Sequence, residues 1–203
     1  RIQKLKKEIE KVKRHRERYR VRRKSSDIPV VALVGYTNAG KSTMLNQLTS
    51  SSVLSEDRMF STLDPVTRKL RLLGGETVLI TDTVGFIQKL PTTLIAAFRA
   101  TLEEAKEADL ILNVVDSSHF MREQQVRAVK DILGEIGLLD KPMVTLLNKC
   151  DKLPEDYIAS DDNSLFDFLI SVDTPVFCSG LTGFGKKEVL RTIGEKLIRK
   201  AAI

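Results

Sequence analysis

Two cysteines and two histidines are all that this 203-residue sequence holds of the side chains that ligate metals through thiolate sulfur or imidazole nitrogen. Cys150 and Cys178 stand in apolar or motif contexts with no metal-ligand spacing, and their scarcity agrees with a reduced compartment. His15 and His119 are isolated, and neither is assigned a catalytic role. No apolar run is long enough to span a bilayer, and no secretory signal opens the sequence. Because Arg1 already falls inside a helical pattern, the sequence is expected to be a piece of a longer product. A cytoplasmic location is expected, or a mitochondrial or plastid matrix if a removed targeting segment came first. With 42% apolar residues, the length suits one compact domain plus an appendage, expected to be a monomer.

Charge is abundant but unevenly placed. Residues 1–24 hold thirteen Lys/Arg and three Glu, a charge of +10, so the remaining twenty basic and twenty-four acidic residues give −4 within the net +6. Ile2, Leu5, Ile9 and Val12 are spaced three, four and three residues apart, the seam of a coiled-coil helix. The seam lasts two heptads before the segment turns almost wholly cationic. This helix either lies solvated against a further domain or offers its cationic end to RNA phosphates, where each contact adds salt-dependent affinity. Ser25-Ser26-Asp27 and Pro29 then break the pattern. Residues 1–26 are thus read as a basic helical linker and residues 27–203 as the domain.

The domain is organised around Gly35-Tyr36-Thr37-Asn38-Ala39-Gly40-Lys41-Ser42, which fits G-x-x-x-x-G-K-[ST]. An apolar, β-branched run precedes it and a helical pattern, opening with Thr43, follows. A strand, a glycine turn and a helix N-terminus set a row of backbone N–H groups around a phosphate. Lys41 would reach the β- and γ-phosphates, and the Ser42 hydroxyl would ligate Mg²⁺. From residue 28 onward, strand-like and helical stretches alternate. Strands are expected over 28–34, 66–72, 77–81, 109–116, 142–148 and 175–178, and helices over 41–49, 94–108, 121–136 and 186–201. The interval 149–174 reads as rich in loops. Such alternation predicts an α/β domain, a mostly parallel sheet flanked by helices. The pair around Gly74-Gly75 forms a hairpin that adds one antiparallel edge strand.

The choice of base comes from Asn148-Lys149-Cys150-Asp151 at the end of an expected buried strand. The Asp151 carboxylate can accept two hydrogen bonds from the N1–H and N2–H₂ edge of guanine, whereas adenine would leave that charge desolvated and unpaired. The Asn148 amide suits the N7 side of the base, and the Lys149 stem can cover its face. Asp82-Thr83-Val84-Gly85 follows a strand, with Asp82 suited to Mg²⁺ and the Gly85 N–H to the γ-phosphate. Thr62 can close over Mg²⁺ and the γ-phosphate. Ser179-Gly180-Leu181 can offer backbone N–H groups to the guanine oxygen. Asn38 either lends its side-chain oxygen to a K⁺ beside the phosphates or simply tolerates a left-handed backbone angle. The residue after Gly85 is Phe86, which cannot position a water through its side chain, so slow intrinsic turnover is expected. Arg99 is a candidate internal cation, against the simpler reading of a surface ion pair.

These stretches together resemble a known family. Residues 35–43 with Phe60-Ser61-Thr62-Leu63-Asp64-Pro65, Asp82-Thr83-Val84-Gly85-Phe86-Ile87 and Ala97-Phe98-Arg99-Ala100-Thr101-Leu102-Glu103-Glu104 look like the HflX GTPases of the Obg-HflX group. The likeness covers the basic segment too, but the family's N-terminal domain is missing. It implies a Mg²⁺-dependent GTPase switch binding GTP and GDP. It implies as well a partnership with the large ribosomal subunit and its RNA, in splitting, recycling or rescue of ribosomes. The alternative reading is a ribosome-assembly or RNA-binding factor that uses GTP as a structural ligand. One departure is Gly180-Leu181, where many relatives carry Ala-Lys. On this reading the nucleotide site comprises Gly35, Asn38, Ala39, Gly40, Lys41, Ser42, Thr43, Asp82, Thr83, Gly85, Asn148, Lys149, Asp151, Ser179, Gly180 and Leu181. Lys41, Thr62 and Gly85 carry the chemistry, and Ser42, Thr62 and Asp82 the metal.

Overall fold

A computed structural model describes residues 28–49, 66–83, 85, 105–154, 157 and 163–201. The expected basic helix, Thr62, Phe86 and Arg99 lie outside the described residues, as does most of the helix expected over 94–108, of which Ala105–Glu107 is described as helical.

Among the described residues six strands form one sheet in the order β2-β3-β1-β4-β5-β6. They are β1 (Val30–Val34), β2 (Val66–Arg71), β3 (Thr77–Asp82), β4 (Leu110–Asp116), β5 (Met143–Asn148) and β6 (Pro175–Phe177), interleaved with helices α1 (Lys41–Thr49), α2 (Arg122–Glu135), α3 (Asn163–Ser171) and α4 (Lys186–Ala201). All neighbours run parallel except β2 and β3. The central strands β1, β4 and β5 are buried along their whole length, which is why they read as continuous apolar runs rather than as alternation. Val31, Leu33, Leu112, Val114 and Leu146 face one core with Met44 and Leu45 of α1 and Val189 and Ile193 of α4. On the opposite face Val34 and Ile111 pack with Val129 and Leu133 of α2, and Val115 and Leu147 with Phe168 of α3. Each such side chain, fully buried, contributes about 1.5–3 kcal/mol.

The expected strands fall within a residue or two of those observed, and the hairpin does add the one antiparallel strand, at the sheet edge. That edge strand buries only Leu70 and carries Arg68, Lys69 and Arg71, cations that discourage pairing with another chain. One expectation is corrected. The interval read as loop-rich contains α3, whose Leu165 and Phe168 are buried, and a short 3₁₀ turn at Cys150–Lys152. The nine-residue α3 is short and lies among acidic and loop-forming residues, so its periodicity carries little signal before its apolar side chains meet β4 and β5.

After β1 the chain passes to β2 and β3 on one side and returns to β4 on the other. This reversal opens a crevice beyond the C-terminal ends of the strands, where ligands of such sheets bind.

A candidate guanine-nucleotide site at the sheet's C-terminal edge

Residues 35–40 leave β1 into that crevice and end at the first residue of α1. Gly35 has φ of 142°, and a Cβ there would collide with the Val114 carbonyl oxygen of β4, so only glycine lets the loop start so close to the sheet. Gly40, at φ of 93°, leaves room in the same way for the Asn148 side chain. Asn38 also sits in the left-handed region, at φ of 60°, and is exposed. That observation meets the backbone reading of Asn38.

Lys41 is buried, and its Nζ donates to the carbonyl oxygens of Gly35 and Tyr36 at 3.2 and 3.0 Å. Burial pushes its ammonium down to about 8 from the usual 10.5, against the upward pull of the Asp82 carboxylate. Ser42 Oγ donates to Asp82 Oδ2 at 2.5 Å, which brings two hard oxygen donors from α1 and β3 together. This pair fits a Mg²⁺ that takes few protein ligands and completes its shell with phosphate oxygens and water. Gly85 lies against the loop, since a Cβ on it would stand 2.8 Å from Lys41 Nζ and 2.9 Å from Thr37 Cα. Thr83 is buried, and its hydroxyl donates to the Leu33 carbonyl of β1 at 2.5 Å. Its side chain therefore ties β3 to β1 rather than facing a ligand.

Asn148 closes β5 and joins the two loops that flank it. Its Nδ2 donates to the Ala39 carbonyl at 2.8 Å and its Oδ1 accepts the Gly180 N–H at 2.9 Å. One of its two amide hydrogens is used in this way, which leaves the other for a ligand. Lys149 has φ of 62°, and its Nζ donates to the Asn38 carbonyl at 2.8 Å. Asp151 is exposed on the 3₁₀ turn that follows. Of the three main-chain donors expected from residues 179–181, Ser179 donates to the Phe184 carbonyl and Gly180 to Asn148, so Leu181 carries the remaining one. Gly180 packs on the first turn of α1 beside Thr43 and Met44, and the Leu181 side chain is exposed. Cys150 is half-buried, and burial followed by the Asp151 charge pushes its thiol up.

Most of the residues singled out from sequence thus surround one crevice, with Thr62 outside the described residues. Asp116, Ser117 and Ser118 were missed. They lie at and just after the end of β4: Ser117 bonds to Asn148, Asp116 pairs with Lys149, and Ser118 donates to Asp116. The visible signal was an apolar strand closing on Asp-Ser-Ser at the edge where the motifs gather.

A family described as a 50S ribosome-binding GTPase matches residues 30–149. Among solved structures, a variant of Aquifex aeolicus Era bound to GDP and AlF₄⁻ superposes with a TM-score of 0.71 at 24% identity, covering 84% of this chain and 57% of that one. A GTP-binding protein from Sulfolobus solfataricus in complex with GDP superposes with a TM-score of 0.68 at 26% identity, covering 95% and 61%. Fold and phosphate loop together define a P-loop GTPase domain. The chain is 47% identical over its whole length to GTPase HflX of Lacrimispora saccharolytica, and 39% identical to that of Escherichia coli. It belongs to the HflX family of GTPases. It spans 46% of the length of each of these two relatives.

Proposed function

We propose that this domain is the nucleotide switch of a GTPase that acts on the large ribosomal subunit, in the splitting, recycling or rescue of ribosomes in the cytoplasm. The observation that carries the nucleotide part is the Asn148 side chain, which bonds to Ala39 of the phosphate loop and to Gly180 of the opposite loop. Phosphate-binding and base-binding segments are thereby held at one distance from each other, as a nucleoside di- or triphosphate requires. Lys41 binds the β- and γ-phosphates, and the Gly85 N–H meets the γ-phosphate. Ser42, Asp82 and Thr62 would hold Mg²⁺, which when bound would neutralise charge on the phosphates. Asp151 reads the guanine edge, Lys149 covers its face, and the Leu181 N–H meets its oxygen.

Support for the ribosomal part is the description of the matching family and the charge of +10 over residues 1–24. Without a glutamine after Gly85, turnover is slow until a partner completes the site. The test is single-turnover GTP hydrolysis with and without large ribosomal subunits. Subunit-stimulated hydrolysis is expected. No stimulation, together with subunit binding that ignores the nucleotide, identifies instead a scaffold for which GTP is structural.

A further inference from the structure

β4 ends at Asp116 and runs into a turn at Ser117-Ser118, and the nucleotide reading gives these three residues no task. Ser117 grips the Asn148 carbonyl twice, through its N–H at 2.9 Å and its hydroxyl at 2.7 Å. Asp116 Oδ2 pairs with Lys149 Nζ at 2.8 Å, and its Oδ1 accepts the Ser118 N–H and hydroxyl at 3.1 and 2.6 Å. Both side chains of the pair are largely shielded, at 13% and 18% exposure, so the ion pair escapes most of the screening that weakens surface pairs. Burial on its own would raise the Asp116 carboxyl, but the Lys149 and Ser118 hydrogen bonds hold it below the usual carboxylate range.

Lys149 is also one of the three non-glycine residues in the left-handed region among the described residues. An L-residue holds that conformation at a cost, and the surrounding bonds must impose it. Here they come from one turn, which fixes the carbonyl before Lys149 and the ammonium at the far end of its side chain. The same ammonium reaches the phosphate loop at the Asn38 carbonyl. End of β4, guanine loop and phosphate loop are thus clamped through a single side chain.

We propose that the turn at Asp116–Ser118 braces the guanine-recognition loop, with Asp116 as the positioning residue that holds Lys149 in place and so sets how long guanine nucleotide is retained. This rests on the assignment of residues 148–151 to the base. Without the carboxylate, Lys149 is free to leave the Asn38 carbonyl and its left-handed angle, and the stem that covers the base goes with it. The effect is expected on release, because among variants of one binding site most differences in affinity lie in the dissociation rate.

Release of fluorescent N-methylanthraniloyl-GDP from the full chain tests the proposal, in wild type, Asp116→Asn, Lys149→Met and the double variant. Asp116→Asn is expected to speed release about tenfold, and the double variant to release within about threefold of Lys149→Met alone, since coupled residues do not add. A carboxylate that merely stabilises the fold would act equally in both backgrounds. Release by Asp116→Asn within about threefold of wild type overturns the proposal, and so does a double variant more than about threefold faster than Lys149→Met. Should Asp116→Asn not fold, Ser118→Ala removes one support of the carboxylate. It is expected to speed release only while Lys149 is present, and an unchanged rate overturns the brace. Asp151→Asn is measured alongside for its preference between GDP and XDP. An unchanged preference removes the base assignment and the brace with it, whereas a shifted preference with uncoupled Asp116 and Lys149 removes the brace alone.

Discussion

Lys41 is an ammonium held in the protein at a cost, and the cost has a pH signature. Its folded-state pKa of about 8 lies below the ordinary 10.5, with burial as the main cause. Between those values the unfolded chain keeps a proton that the folded chain has shed, so stability contributed by this group rises with pH across the window. Near neutral pH the shift corresponds to about 3 kcal/mol of destabilisation, at about 1.4 kcal/mol per pKa unit. Lys41→Met removes the titration and keeps most of the volume. The stability advantage of the variant over wild type should therefore shrink by about 2–3 kcal/mol as pH rises from about 7 to about 10. Urea unfolding of nucleotide-free protein at stepped pH measures it, because changes shared by both proteins cancel. A difference constant to within about 0.5 kcal/mol over that range would refute the reasoning. A bound phosphate would restore the charged form, so binding should take up a proton above about pH 8 and GDP affinity should fall as pH rises. Calorimetry in buffers of different ionisation heat reads that proton directly.

Other residues give sharper local tests. Gly35→Ala drives a methyl into the Val114 carbonyl at a backbone angle suited to glycine, and should cost about 3–5 kcal/mol in chemical unfolding. Asn38→Ala should lower stability by about 1 kcal/mol while Asn38→Gly should not, as follows from its φ of 60°. Acceleration of hydrolysis by K⁺ over Na⁺ that both variants abolish would instead give the Asn38 side chain a cation. Asp151→Asn should weaken GTP binding and favour xanthosine nucleotides, because an amide mispairs with the N1–H and N2–H₂ edge; unchanged GTP affinity in titration would remove the assignment. Reversing the charges of Arg16, Arg18, Arg20, Arg22 and Arg23 should lower affinity for ribosomal subunits and flatten its salt dependence by about one unit of slope per lost phosphate contact, and undiminished binding at moderate salt would leave the segment a solvated helix.

The phosphate loop, the Asn148–Asp151 motif, the strands and the hairpin were legible in the sequence because each depends on neighbours a few residues apart. Buried parallel strands print as β-branched runs, glycines mark a loop whose backbone angles exclude a Cβ, and Lys186–Ala201 carries its own periodicity. Tertiary structure decided what those pieces touch. Parallel register brings Ser42 against Asp82 across 40 residues and Lys149 against Asn38 across 111, separations over which no local pattern carries information. It also turned Thr83 inward to β1 and engaged the N–H groups of Ser179 and Gly180 within the protein. The pairing of Asp116 with Lys149 was likewise not fixed by the sequence, for an aspartate at the end of a strand looks the same whether it meets water or a lysine. Only the alignment of β4 beside β5, with Asp116 opposite Asn148, puts that carboxylate within reach of Lys149.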